Sequence, residues 1–262
     1  MILSVDIGNT ATKIGWPEPG RAWMVHRLDT LDLAAELSRF IAGQSAERSD
    51  DHSDDHSAEW KVSGVGIASV VPAAVQLVRD AFAPAPIFEV THTCRLPFAM
   101  GYETPTTLGN DRLAAAAGGW LQYAGEGTAL LVIDAGTAIT YEVIDAAGIY
   151  QGGAIGPGPR LLSRALYTGT AQLPELLDLP GQSAIGKSTA EAIRIGVHWA
   201  FRESVAGMIR RIRKELQTPL LVVATGGWAA DLAAHVAEIN LVDPYLVLRG
   251  TRQLLDFNAG AG

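Results

Sequence analysis

Two short stretches carry residue types suited to phosphate chemistry. "LSVDIGNTATKIG" (3–15) and "LLVIDAGTAITYEV" (130–143) each run from apolar residues into an aspartate, turn through glycine, and return through small hydroxyl or amide residues to an apolar run. Glycine lets a backbone approach a phosphate closely and adopt turn angles closed to other residues. Thr10, Thr137 and Thr140 add hydroxyls beside the N–H donors of the turns. Asp6 and Asp134 cannot bind phosphate directly, because like charges repel; each makes sense there only with a cation in between. A single Asp-x-Gly is common and weak, and two ordinary hairpins with polar turns are the bland alternative. Two such motifs, similarly framed and about half a chain apart, favour a pair of related lobes holding a metal–nucleotide triphosphate in the cleft between them.

The elements that must position these residues alternate between strands and helices. Residues 2–5 and 12–16 read as strands around a Gly-Asn turn, and 28–43 has helical periodicity ending at Gly43. A buried strand over 62–70 leads to a helix opened by Pro72, and "PIFEV" reads as a short strand. "TLGNDRLAAAAGGWLQYAG" reads as a turn feeding an alanine-rich helix. Strands follow at 129–134 and 138–145, then the Gly/Pro-rich "GGAIGPGPR". A long helix is expected over about 188–216, then a strand in "PLLVVATGG" and a helix in "WAADLAAHVAEI". The pattern is that of an α/β protein. We set the lobes at 1–110 and 111–262. The segment 46–60, with its repeated Ser-Asp-Asp-His, reads as a solvated insert rather than a metal site, since it lacks apolar residues to hold a ligand geometry until Trp60.

Composition narrows the function classes. Of the 262 residues, 48% are hydrophobic and 18% charged, as in a soluble globular chain with ample core material. A net charge of −8 argues against gripping a nucleic-acid backbone, which needs clustered Lys and Arg. "RRIRK" at 210–214 reads accordingly as a solvated helix face. The one cysteine, Cys94, excludes an intrachain disulfide and a cysteine-based metal site, and reads as a half-buried residue of a reducing compartment. No apolar run is long enough to span a membrane, and Asp6 would interrupt a signal peptide, so the expected setting is the cytoplasm. His198 and Trp199, mid-helix, read as packing or interface residues, as do Met100 and Trp120.

Five motifs in order resemble those of type III pantothenate kinases, members of the acetate/sugar kinase, Hsp70 and actin superfamily. They are "DIGNTATK", "LGNDRLAAAAGG", "VIDAGTAITYEVID", "GGAIGPG" and "IGKSTAEAIRIG", and the resemblance covers almost the whole chain. It implies two duplicated ribonuclease-H-like lobes, the actin-like ATPase fold, with a nucleotide cleft between them. It implies a cytoplasmic homodimer that moves the γ-phosphate of ATP to the primary hydroxyl of pantothenate, the first step of coenzyme A synthesis, using Mg²⁺ and a monovalent cation, K⁺ or NH₄⁺. The partners implied are pantothenate and ATP, with no nucleic acid and no membrane.

The resemblance also implies roles. Asp6 would act through Mg²⁺ and its waters, with Gly8, Asn9, Thr10 and Lys13 lining the first phosphate loop. Asp111 would be the general base, Asp134 the monovalent-cation ligand and Thr137 a nucleotide contact. Tyr102, Gly109, Asn110 and Arg112 would line the pantothenate pocket, Thr189 would reach pantothenate across a dimer interface, and Gly226-Gly227 would form the glycine turn on the adenosine side. Read without the resemblance, Asp111 is equally a first-turn acid favoured by a helix dipole, and Arg112 a surface ion pair. One departure stands out: after Gly-Thr-Ala a common family form reads Thr-Thr-Phe-Asp, and here it is Ile139-Thr140-Tyr141-Glu142. The competing reading is a noncatalytic regulatory homologue, which loss of Asp6, Asp111 or Asp134 would favour; all three are present.

Overall fold

The computed structural model describes residues 1–18, 20, 23–46, 60–176, 178 and 183–260. In it the first motif is an antiparallel hairpin. Strand β1 (Ile2–Ile7) pairs with β2 (Ala11–Trp16), and β3 (Met24–Asp29) adds to β2 in the same antiparallel sense. After helix α1 (Leu33–Ala46), β4 (Gly64–Ser69) lies parallel to β1. Helix α2 (Pro72–Ala81) starts at its proline as expected, and β5 (Ile87–Glu89) then lies parallel to β4. The order is β3-β2-β1-β4-β5. All six residues of β4 are buried, as a parallel strand covered on both faces requires. Leu3, Val5 and Ile7 of β1 pack with Leu33, Leu37 and Phe40 of α1 and with Val75 and Val78 of α2.

The second sheet repeats this plan. The short β6 (Ala99–Met100) and helix α3 (Asn110–Tyr123) precede it in the chain. Strands β7 (Ala129–Ala135), β8 (Ala138–Ile144) and β9 (Ile149–Pro157) run antiparallel in succession. Helices α4 (Pro159–Gly169) and α5 (Thr189–Leu216) follow, and β10 (Leu220–Thr225) returns parallel to β7. Helix α6 (Ala229–His235) then connects to β11 (Leu241–Val242), which is parallel to β10. The order β11-β10-β7-β8-β9-β6 is the first sheet's order with one strand added outside β9. The duplication read from two Asp-Gly hairpins is therefore a duplication of topology, the ribonuclease-H-like arrangement. The "GGAIGP" part of the Gly/Pro-rich passage is strand here. Leu131, Ile133, Tyr141 and Val143 pack with Phe201, Val205 and Ile209 of α5. His198 is buried on α5, and Arg210, Arg211, Arg213 and Lys214 are exposed, in line with the packing and solvated-face readings.

The last helix, α7 (Leu246–Ala259), packs on β1, β2 and β4. The chain thus forms two compact units, one from the described residues of Met1–Pro97, Glu103–Gln122 and Tyr245–Gly262, the other from those of Phe98–Tyr102 and Tyr123–Pro244. A boundary at 110/111 falls inside the first turn of α3, and α3 groups with the first sheet because its small residues close onto α7. Leu113, Ala114 to Ala117, Gly118 and Gly119 are all buried. A Cβ added at Gly118 would lie 2.8 Å from the Leu246 carbonyl oxygen, and one added at Gly250 would overlap the Ala114 carbonyl. The alanines and glycines are what allow two helix backbones to touch. The stretch 47–59 of the Ser-Asp-Asp-His segment lies outside the described residues, and among those described no helix is long and apolar enough to cross a membrane. Replacing Gly250 by alanine leaves the intruding Cβ no flexible neighbour to displace. Gly250→Ala is expected to lower unfolding stability by about 3 kcal/mol or more, read as a fall in the denaturant midpoint at unchanged slope.

Candidate active site

The first unit places the first phosphate hairpin and the Gly-Asn-Asp-Arg element. Asp6 ends β1 with 9% of its surface exposed. Lys13 stands directly across the ladder, its Nζ 3.2 Å from Asp6 Oδ2. Burial raises the Asp6 pKa, and the charge and hydrogen bond of Lys13 pull it back down. In the turn, the Gly8 N–H donates to the Ala11 carbonyl at 3.1 Å, and Asn9 and Thr10 sit exposed at the tip. Thr30 supports the loop from behind: its hydroxyl donates to the Gly8 carbonyl at 2.8 Å and lies 3.0 Å from the Thr12 hydroxyl. Thr30 carries no motif, and sequence reasoning passes over it.

Asp111 occupies the first turn of α3. The Arg112 N–H donates to its Oδ1 at 2.7 Å, and the Leu113 N–H donates to the Gly109 carbonyl at 3.1 Å. The first-turn reading is therefore right as local structure: the Arg112 N–H holds the carboxylate in one orientation at the positive end of the helix dipole. A Cβ at residue 109 would lie 2.6 Å from Asp111 Oδ1, so a side chain there would displace the aspartate from this position. Asn110 is the first residue of the helix. Arg112 is 9% exposed, which removes the surface ion-pair reading; a guanidinium is buried only where anionic or polar groups compensate it.

The second unit places the other hairpin. Asp134 ends β7 opposite Thr140, where Asp6 faces a lysine. The Gly136 N–H donates to the Ala138 carbonyl at 3.0 Å, and Thr137 is exposed at the tip. Gly226, at the end of β10, meets this hairpin closely. Its φ is +87°, and an added Cβ would overlap Asp134 Oδ1 and lie 2.7 Å from the Ala135 carbonyl oxygen. The Trp228 N–H donates to that same carbonyl at 3.0 Å. Asp134, Thr137 and the Gly226 turn are thus assembled in one place. Tyr102 follows β6 with its ring beside Tyr150. Thr189 is the exposed first residue of α5. Ser188 caps that helix by accepting from the Glu191 N–H at 3.2 Å, and Glu191 accepts from the Lys187 N–H at 2.7 Å, so "GKST" is also a helix-start signal.

Oxygen donors dominate both hairpins, and among the described residues no three His, Cys, Asp or Glu side chains converge on a metal position. That donor set fits Mg²⁺ bound through one carboxylate, waters and nucleotide phosphates, since Mg²⁺ keeps most of its waters and rarely takes an all-protein cage.

Two ribonuclease-H-like sheets, each ending a central strand in an Asp-Gly hairpin, define the actin-like ATPase class of fold. The crystal structure of a Campylobacter jejuni protein, described as a conserved Baf family transcriptional activator, has this fold: TM-score 0.57 at 20% identity over 98% of this chain and 99% of that one. The particular family follows from sequence. The profile of the type III pantothenate kinase family matches residues 2–211. The type III pantothenate kinase of Chlorobaculum parvum is 38% identical, over 98% of this chain and 95% of its own. That of a Roseiflexus species is 34% identical over 98% and 99%. The chain belongs to the type III pantothenate kinase family.

The raised Asp6 pKa has a sign that can be measured. A carboxyl whose folded pKa exceeds its unfolded value near 3.8 adds stability below that value and loses it as pH rises through the folded pKa. In ligand-free protein, Asp6→Asn should therefore match or exceed the wild-type Tm at pH 8. The variant's advantage should shrink as the pH falls towards 4 in thermal melts.

Proposed function

We propose that this kinase transfers the γ-phosphate of ATP to the primary hydroxyl of pantothenate, giving 4'-phosphopantothenate, the first step of coenzyme A synthesis. The observation that carries the reading is the Gly109-Asn110-Asp111-Arg112 turn at the start of α3, within a family match that spans most of the chain. Asp111 is the base that accepts the hydroxyl proton as the phosphoryl group arrives, and in-line positioning supplies most of the rate. Arg112 offers a planar fork of donors to the pantothenate carboxylate, and Tyr102, Gly109 and Asn110 are further pantothenate contacts. Gly8, Asn9, Thr10 and Lys13 cradle phosphate oxygens, and Thr137 contacts the nucleotide from the second hairpin. Mg²⁺, when bound, neutralises phosphate charge, and Asp6 would hold it through water. Asp134 would hold K⁺ or NH₄⁺. Thr189 reaches pantothenate in a partner subunit, which makes the working unit a homodimer in the cytoplasm. Nothing in the family match or in the site residues favours a noncatalytic role.

The test is ATP-dependent phosphorylation of pantothenate, followed by ADP release with and without K⁺. The wild type should turn over, Asp111→Asn should lose at least about 100-fold in kcat, and omitting K⁺ and NH₄⁺ should suppress the rate. Absence of pantothenate-dependent ADP release under every ionic condition would overturn the substrate assignment. Near wild-type turnover in Asp111→Asn would overturn only the choice of base.

A further inference from the structure

Glu142, one of the three residues at which this stretch departs from the common family form, is completely buried on β8, with 0% of its surface exposed. The Tyr150 hydroxyl, equally buried, donates to Glu142 Oε2 at 2.5 Å. That short distance is what a phenol gives to a carboxylate, and a dry setting strengthens it. The pairing depends on an irregularity in the sheet. Val143 faces Gly152 across the ladder, but Ile144 faces Tyr150, so Gln151 is the extra residue of a bulge. Without it the register would slip by one and Tyr150 would point to the opposite face from Glu142.

Tyr150 in turn governs the strand that delivers Tyr102. Its carbonyl accepts from the Gly101 N–H at 3.0 Å. Its ring stacks on Phe98 at 5.8 Å and meets the Tyr102 ring edge-on at 6.0 Å. From the other side the Tyr102 ring rests on the bulge itself: Gly152 has φ +99°, and a Cβ there would lie 2.9 Å from Tyr102 Cδ2. The Tyr102 ring therefore sits against the bare Gly152 backbone and beside a Tyr150 ring whose tilt is fixed by the carboxylate behind it.

We propose that Glu142 is a positioning residue for the acceptor pocket, acting through the Tyr150 hydroxyl on the Tyr102 ring. The inference deepens the proposed function and rests on its placement of Tyr102 against pantothenate. Its consequence is specific: weakening the Glu142–Tyr150 bond loosens the grip on pantothenate without touching the nucleotide or the base.

Steady-state kinetics on the full-length enzyme test this. Tyr150→Phe removes one oxygen and keeps the ring; it should raise the pantothenate KM about three- to tenfold, leaving kcat and the ATP KM within about twofold. Glu142→Gln should shift the same constant, and the double variant should be no worse than the poorer single one, since both remove one interaction. Tyr102→Ala serves as the reference. If Tyr102→Ala raises the pantothenate KM and Tyr150→Phe does not, the positioning role is overturned while the pocket stands. If Tyr102→Ala itself leaves that KM at the wild-type value, the placement of Tyr102 is overturned, and the inference with it. Equal losses in kcat and in both KM values for Tyr150→Phe would mark a general structural defect and also overturn it. Should Tyr150→Phe fail to fold, Glu142→Gln is read by the same criteria.

Discussion

A carboxylate withdrawn from bulk water needs neighbouring groups that offset the cost of its burial. Much of each unit answers to that constraint. Asp6 sits at the end of a central strand whose neighbours are buried, and the cross-strand lysine, 3.2 Å away, opposes the cost of burying it. Strand β1 carries Leu3, Val5 and Ile7 into a closed core, which fixes the strand end and so the aspartate. Asp134 meets the same demand differently, with Thr140 across the ladder and the glycine turn of β10 pressed against it. One fold element, used twice, therefore provides two electrostatically distinct carboxylates: one facing a fixed cation of the protein, the other framed by hydroxyl and carbonyl oxygen.

Much of this was legible because it depends on local rules. Apolar runs ending in Asp-x-Gly marked both hairpins, and Pro72 marked the start of α2. The parts that were hidden depend on distant chain. Strand β3 is mostly polar or half-exposed, and β9 is dense in glycine, so neither carries a strand's usual composition. The glycines of β9 exist for its neighbours; at Gly153 a side chain would overlap the Tyr141 carbonyl. The grouping of α3 with α7 follows from steric fit between Gly118, Gly250 and Ala114, which no periodicity announces.

The candidate site divides along the same line. Asp6 and Asp134 were chosen by type and spacing and Asp111 through the family resemblance, and the structure sets each near a strand end or at a helix start. Lys13 was read as a phosphate-loop residue and is also the counter-charge of Asp6. The burial of Arg112 was not readable, since only packing distinguishes a surface arginine from a sequestered one. Glu142 was visible as an oddity, but its partner was not, because a one-residue bulge decides which side chain it meets.

The placement of α7 has a consequence for how the molecule comes into being. The chain leaves the first unit at Gln122, completes the second as nearly one continuous run to Pro244, and only then returns with the helix that covers β1 and β4. A ribosome delivers that helix only after the second unit. The first sheet, although made before the second, waits with one face uncovered until the second unit has emerged, while the second can close around its own core beforehand. The order of synthesis and the order of completion are therefore reversed between the two halves. The bare face of β1, the strand that carries Asp6, is the surface a nascent chain must keep from other partners in the interval.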